Sequence, residues 1–457
     1  AATLLKQAGH NVIWNDCIAE GWNYERFLDF IKEEKPGLIA FETKTPVVKQ
    51  HWQIINDLKR LSTDDYRLST VLFGDHVTAL PEESFENSQV DYVLTGGDYD
   101  FLLLNLCNVI RESGLSAIGY RLSAKLEAGI YYRENVQIKN TGKFQLNHDL
   151  DSLPLIDRDL TKWQLYAYKN GNYKSTPGTY IMSGRDCWYR KCRFCSWPTL
   201  YPEFRVRKVE NVLDEIGVLI NNYSIREIMD DSGSFPAGEW LEDFCAGMIQ
   251  RDYCKKIYLD CNMRFGALSS EEFSLMKKAN FRLILFGLES ANQDTLDRLN
   301  KNVRIEKIIE DCKSATRAGL YPHITIMFGY PWEDYADALK TLRLGRWLLK
   351  KGYAYTMQAT LVIPYPGTPL FQDCEERGEL KSLNWEDYDM KQPIMQTSIP
   401  PNLLMGLIQG MYKISFQPEF ILRKLFSLRD FDDLKYYLRA LQKVSGHIFD
   451  FSRKKDR

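Results

Sequence analysis

No run of 18 apolar residues occurs in the 457-residue chain, so no segment has the length and character of a membrane-spanning helix. Nothing near the start has the basic, apolar and small-residue order of a secretory signal. Charge of one sign is also missing. Lys and Arg number 59 against 61 Asp and Glu, for a formal net charge of −2. No global field therefore favours nucleic acid or an anionic membrane. Neither a Gly-x-Gly-x-x-Gly loop nor a Walker motif is present, which removes the common phosphate-cradling signatures. Internal repeats and low-complexity stretches are absent too. The ten cysteines form one cluster and are otherwise scattered. They read as cytoplasmic thiols or metal ligands rather than as a disulfide framework.

What is present is an ordinary globular composition, 44% hydrophobic and 26% charged, arranged in two blocks of alternating strand and helix patterns. Residues 1–125 place short apolar runs between helical stretches: Val12–Trp14, Leu38–Phe41, Ser69–Phe73 and Tyr92–Leu94. This predicts an α/β, doubly wound parallel sheet. Ala1 to His10 reads as the end of a helix, so the numbering is expected to start inside a longer protein, after a missing first strand. Residues 126–175 read as a linker with a hairpin signal at Ile130–Tyr132 and Val136–Ile138. Residues 176–371 hold six strand candidates: Thr179–Met182, Glu227–Met229, Ile257–Asp260, Leu283–Phe286, His323–Phe328 and Gln358–Ile363. Six βα units suit a partial parallel barrel, because a full eight-stranded barrel needs about 250 residues. Residues 372–457 read as helical and amphipathic. In both sheets ligands are expected at the carboxyl ends of the strands.

The strongest chemical signal is Cys187-Trp-Tyr-Arg-Lys-Cys192-Arg-Phe-Cys195, expected on a loop at the end of the first barrel strand. A [4Fe–4S] cubane normally takes four cysteines. Three leave one iron open, and an open iron can chelate the amino and carboxylate groups of S-adenosylmethionine. Structural zinc is the plainer alternative, but it prefers four ligands. The next cysteine is Cys245 and the nearest upstream histidine is His148. Six basic residues, Arg185, Arg190, Lys191, Arg193, Arg205 and Arg207, surround the cysteines. They leave open a non-catalytic metal protein that grips nucleic-acid phosphates.

With these residues in view, the chain resembles the radical S-adenosylmethionine superfamily, in particular its cobalamin-binding subgroup. The first gap between cysteines is one residue longer than the family's usual spacing, while Phe194 keeps the aromatic before the third cysteine. Further stretches are similar to family segments in order: Asp230-Asp231-Ser-Gly-Ser-Phe235, Asn262 to Arg264, Phe286-Gly-Leu-Glu-Ser290, Phe328-Gly-Tyr-Pro-Trp-Glu333 and Tyr365-Pro-Gly-Thr-Pro369. The resemblance implies S-adenosylmethionine contacts at Asp230, Asp231, Arg264, Gly287, Glu289, Ser290 and Gly329, with Cys187, Cys192 and Cys195 as cluster ligands. It also implies a cobalamin site on residues 1–125. There the Asp-x-His-x-x-Gly signature appears as Asp16-Cys-Ile18-Ala-Glu-Gly21, with isoleucine in place of the cobalt-ligating histidine. The implied cobalamin contacts are Asp16, Gly21, Thr43, Gly74, His76, Gly96 and Gly97. For His76 a capped loop histidine is the competing reading.

The resemblance implies an enzyme that makes a 5′-deoxyadenosyl radical and, with cobalamin, methylates an unactivated carbon. Cyclisation, oxidation or rearrangement without methyl transfer is the alternative. A small-molecule or peptide substrate and an electron donor such as flavodoxin or ferredoxin are the expected partners. Trp163, Tyr166 and Trp385 are candidates for the barrel mouth.

Overall fold

The computed structural model describes residues 1–62, 66–113, 125–134, 137–169, 173–426, 428 and 431–450. A five-stranded sheet comes first, in the order β1 (Leu38–Glu42), β2 (Ser69–Phe73), β3 (Tyr92–Leu94), β4 (Ile130–Glu134) and β5 (Gln137–Asn140). The pairs β1–β2 and β2–β3 are parallel, while β4 and β5 return antiparallel. Every residue of β2 is buried, as its unbroken apolar run requires of a strand covered on both faces. One cover is the helix Val48–Lys59, which buries Val48, Trp52, Ile55 and Leu58 at helical spacing. The other is the helix Tyr99–Ser113, whose Leu102, Leu103, Leu106 and Val109 pack on Val71, Phe73, Tyr92 and Leu94.

Two expectations change here. Val12–Trp14 is not a strand: Ile13 and Trp14 are 49% and 43% exposed. β1 is the edge of the sheet, and among the described residues nothing pairs with its outer side. An extended segment without a hydrogen-bonded neighbour gains too little to count as a strand. The hairpin read as part of a linker instead completes the first sheet, because β4 pairs with β3 through Tyr92↔Tyr132 and Leu94↔Ile130. Val136, the start of that hairpin's second half in the sequence reading, lies outside the described residues.

The second sheet has six parallel strands in the order β13-β12-β11-β10-β9-β6. They are β6 (Gly178–Ile181), β9 (Glu227–Asp230), β10 (Tyr258–Met263), β11 (Phe281–Glu289), β12 (Tyr321–Phe328) and β13 (Thr356–Leu361). This is the expected partial barrel, each strand beside the next in sequence. Near the amino ends of its strands, Arg282 is sealed at 2% exposure between Glu227 (2.7 Å) and Asp260 (2.5 Å). β7 (Gly184–Arg185) and β8 (Arg205–Val206) form a separate antiparallel ribbon. Helix Pro401–Tyr412 then lays Leu404, Leu407, Ile408 and Met411 into the barrel's core cluster.

Candidate active site

The ribbon β7–β8 holds the two ends of the loop that carries the three cysteines. A side chain at Gly184 would meet the Arg205 carbonyl at 2.8 Å, so glycine is what lets the two strands close. Asp186 and Arg190 take left-handed backbone angles (φ 76° and 53°) to turn the loop back on itself. The loop is then stitched to its surroundings. Arg193 N donates to Leu299 O (3.0 Å), Leu370 N to Arg193 O (2.9 Å) and Tyr189 Oη to Asn300 O (2.6 Å).

Cys187, Cys192 and Cys195 are free, half-buried thiols. Burial pushes Cys195 up to about 12 and raises Cys192 as well. Cys187 adds to the shift of Cys192, and both add to the shift of Cys195, so the three sulfurs lie within electrostatic reach of one another. Such thiols ionise at neutral pH only against a strong local cation, which iron supplies. Among the described residues no three His, Cys, Asp or Glu side chains converge on a single-ion site. Three thiols on one loop match in number the ligands of a cluster with one open iron, whereas structural zinc takes four.

Around this loop lies an unusual set of buried polar atoms without partners: both carboxylate oxygens of Asp186, Trp188 Nε1, Arg264 Nε and Tyr330 Oη. Such orphans are costly unless a ligand satisfies them. Burial raises Asp186 to about 7. Neither Asp186 nor Lys301 was singled out from sequence. Asp186 precedes the first cysteine, and its left-handed turn is invisible in a linear motif.

The other expected contacts divide. Glu289, at φ 63°, is buried and accepts a hydrogen bond from Lys301 Nζ at 2.8 Å. A side chain at Gly287 would meet Glu289 Oε1 at 2.1 Å and Lys301 Nζ at 2.6 Å, so that glycine makes room for the pair. Burial lowers the Lys301 ammonium, but Glu289 and then Cys192 attract its charge more strongly and the net shift is upward. Arg264 lies 3.8 Å over the Tyr189 ring and donates to the carbonyls of Lys301 and Asn302. Asp230 faces inward, accepting from Ser183 N (2.8 Å), Ser183 Oγ (2.5 Å) and Ser232 N (3.0 Å), while the neighbouring Asp231 is exposed. Ser290 also turns inward, donating to Glu333 Oε1 at 2.7 Å. Glu333 further accepts from Asn292 (3.1 Å) and Thr295 (2.6 Å), which braces the loops after β11 and β12. Gly329 takes φ 97° at the end of β12.

On the first sheet, Thr43 Oγ1 is buried and unpartnered just past the end of β1. Gly74 stands beside it at φ 128°, and a side chain there would strike the Thr43 carbonyl at 2.2 Å. This cradle leaves one buried donor without a partner. Other expected contacts are already engaged. His76 is 1% exposed, held by Thr45 Oγ1 (3.2 Å) and Glu83 Oε2 (3.0 Å), with Trp385 stacked edge-on and itself bonded to Glu83. Gly96 packs under Phe144 and Gly97 under Tyr201, each where a side chain would sit. Asp16 caps the helix Cys17–Glu20 and accepts from Tyr166 at 2.8 Å, and Gly21 ends that helix at φ 71°. Trp163 and Tyr166 line a cavity of about 550 Å³ near the start of β6.

The two sheets meet at the cysteine loop. Gly97 N donates to Leu200 O (2.9 Å), just beyond Cys195. Asp98, 1% exposed, receives Arg185 (2.6 Å), Arg205 (2.6 Å) and His148 (3.0 Å), while Arg185 also grips Asp100 at 2.5 Å. Both ribbon arginines therefore anchor to the carboxyl edge of the first sheet. Arg207 pairs with Glu215 (2.7 Å) and Arg193 with Asp373 (2.6 Å). Four of the six basic residues near the cysteines are thus spent on internal carboxylates, leaving little for nucleic-acid phosphates.

Residues 181–345 match the model of the Radical SAM superfamily. This stretch, about a third of the chain, resembles a radical SAM domain. That domain begins at the end of β6 and runs into the helix after β12, so it contains the cysteine loop and the Glu289–Lys301 pair. An uncharacterized methyltransferase of Pyrococcus horikoshii is 24% identical, covering 95% of this chain and 90% of that protein. The anaerobic magnesium-protoporphyrin IX monomethyl ester cyclase of Rubrivivax gelatinosus is 23% identical over 96% of this chain and 77% of its own length. Among solved structures, the radical S-adenosylmethionine methyltransferase TsrM from Kitasatospora setae, with cobalamin and a [4Fe-4S] cluster bound, superposes with a TM-score of 0.69 at 13% identity. It covers 98% of this chain and 95% of TsrM. The cobalamin-dependent enzyme OxsB gives 0.64 at 14% identity, covering 93% of this chain and 65% of its own. These likenesses extend the shared fold from the radical SAM domain to the first sheet.

Proposed function

We propose that this chain is a cobalamin-dependent radical S-adenosylmethionine enzyme that methylates an unactivated carbon. One observation carries the reading: the cysteine loop and the Thr43–Gly74 cradle stand at two strand-end edges that the Asp98 contacts lock together. A methyl carrier and a radical source must address one substrate atom from separate sites, and reacting atoms must come within about 3–3.5 Å. The methyltransferase relative and the cobalamin-bound TsrM structure support the same reading.

When bound, the cluster would supply the electron that cleaves S-adenosylmethionine to the 5′-deoxyadenosyl radical, and the corrinoid would supply the methyl group. The chain's own residues do the holding. Cys187, Cys192 and Cys195 would ligate the cluster. Asp186, Arg264, Glu289 and Tyr330 offer the polar groups that would orient S-adenosylmethionine. Thr43 and Gly74 would receive the corrinoid. Tyr201 fills the space over Gly97 and excludes water from the junction. Residues 1–125 with the hairpin of residues 130–140, and residues 176–371, would act as the two cofactor-bearing units, in a cytoplasmic protein served by a flavodoxin or ferredoxin. Among the described residues no helix is long and apolar enough to cross a membrane.

The test is anaerobic reconstitution followed by assay of iron, sulfide and corrinoid. Reduction with S-adenosylmethionine should release 5′-deoxyadenosine, and product mass should rise by one methyl group. Corrinoid that fails to bind, or turnover without methyl gain, would overturn the proposal.

A further inference from the structure

The loop 299–302 is joined to the cysteine loop and its neighbour through four consecutive carbonyls. Leu299 O takes Arg193 N (3.0 Å), Asn300 O takes Tyr189 Oη (2.6 Å), and Lys301 O and Asn302 O both take Arg264 Nη2. Asn300 and Asn302 adopt left-handed angles (φ 52° and 48°), and Lys301 lies between them. The effect is to deliver one lysine side chain inward. Lys301 is 7% exposed, and its ammonium is within electrostatic reach of the Cys192 sulfur and 5.7 Å from the Phe194 ring. Among the described residues Glu289 is its one carboxylate partner, with Oε1 at 2.8 Å. The absence of a side chain at Gly287 is what lets both reach this place.

A buried ion pair contributes little to stability compared with apolar residues of the same size. Four carbonyl contacts and two left-handed turns are a large investment for a pair of that kind. We infer that Lys301 and Glu289 are positioning residues that set the reduction potential of the cluster at Cys192. A fixed cation beside a cluster ligand stabilises the more negative, reduced state, and cluster potentials follow local charge and hydrogen bonding. Glu289 offsets part of that cation and fixes its position. The two residues therefore act with opposite sign.

This inference rests on the cluster reading, and the experiment separates the two. Iron and sulfide in the reconstituted wild-type protein test the cluster. The pair is tested by redox titration of the cluster, followed by electron paramagnetic resonance, without S-adenosylmethionine. Lys301→Met should shift the midpoint to more negative potential, Lys301→Arg should restore it, and Glu289→Gln should shift it to less negative potential. A merely structural pair would move both neutral variants the same way, or neither, and either result overturns the inference. Should Lys301→Met fail to load a cluster, the Glu289→Gln shift decides alone.

Discussion

Asp98→Asn tests the junction that carries the argument. The carboxylate is 1% exposed and takes three hydrogen bonds from Arg185 and Arg205, at 2.6, 2.6 and 2.9 Å, and one from His148 at 3.0 Å. Burial alone would raise its pKa, but the arginines outweigh burial and hold it below the usual carboxylate range. Removing one charge from a buried ion pair costs about 3–5 kcal/mol. The lower end applies here, because Arg185 keeps Asp100 and the two arginine side chains remain 12% and 16% exposed. A loss of about 3 kcal/mol is roughly a hundredfold in the folding equilibrium. Urea unfolding should show a clearly lower midpoint, and limited proteolysis should cut the ribbon around Arg185 and Arg205 faster. The exposed pair Lys32–Asp29 is the control, since Lys32→Ala should cost under about 1 kcal/mol. An unchanged midpoint in Asp98→Asn, with the ribbon still protected, would refute the claim that this carboxylate ties the two units.

Alanine at Cys187, Cys192 or Cys195 should each reduce iron loading to background, whereas Cys261→Ala, in the barrel core, should load normally. Gly97→Ala places a methyl 1.7 Å from the Tyr201 ring and should cost about 1–3 kcal/mol by overpacking. In a Tyr201→Ala background that cost should vanish, which a double-mutant cycle of melting curves would show. Burial lowers His323 to about 4, with Arg282 adding to the effect. The unfolded chain then binds the extra proton first, so stability falls as pH drops from about 6.5 to about 4, by at most about 3 kcal/mol. That ceiling applies because the residue is partly exposed although Nε2 is sealed. Denaturation of His323→Gln across this range should lose part of the slope; an unaltered slope would rule His323 out.

Much of the fold was legible because it rests on local pattern. The runs Ser69–Phe73 and Tyr92–Leu94 are β2 and β3 to the residue, and six barrel strands appear where apolar runs follow helical stretches. A buried parallel strand advertises itself as a continuous apolar segment. The grouping of the three cysteines on one loop was equally legible, since their closeness in sequence needs no long-range contact. Val12–Trp14 had the right composition but lacks a neighbour to pair with, and pairing is not a property of a segment.

The sequence by itself thus determined the two alternating blocks, the cysteine loop and the likeness to a radical enzyme family. Only the tertiary structure decided which buried polar residues are left without partners and which are engaged within the frame. His76, Asp16 and Ser290 carry suggestive chemistry in linear motifs but turn to Glu83, Tyr166 and Glu333. Asp186 and Lys301 belong to no motif singled out in the sequence, yet burial and partners outside their own segments give them a place beside the cysteine loop. Hydrogen-bond satisfaction explains the difference, because it depends on partners outside the motif, from 7 positions away for His76 and Glu83 to 150 for Asp16 and Tyr166, and on water excluded by packing.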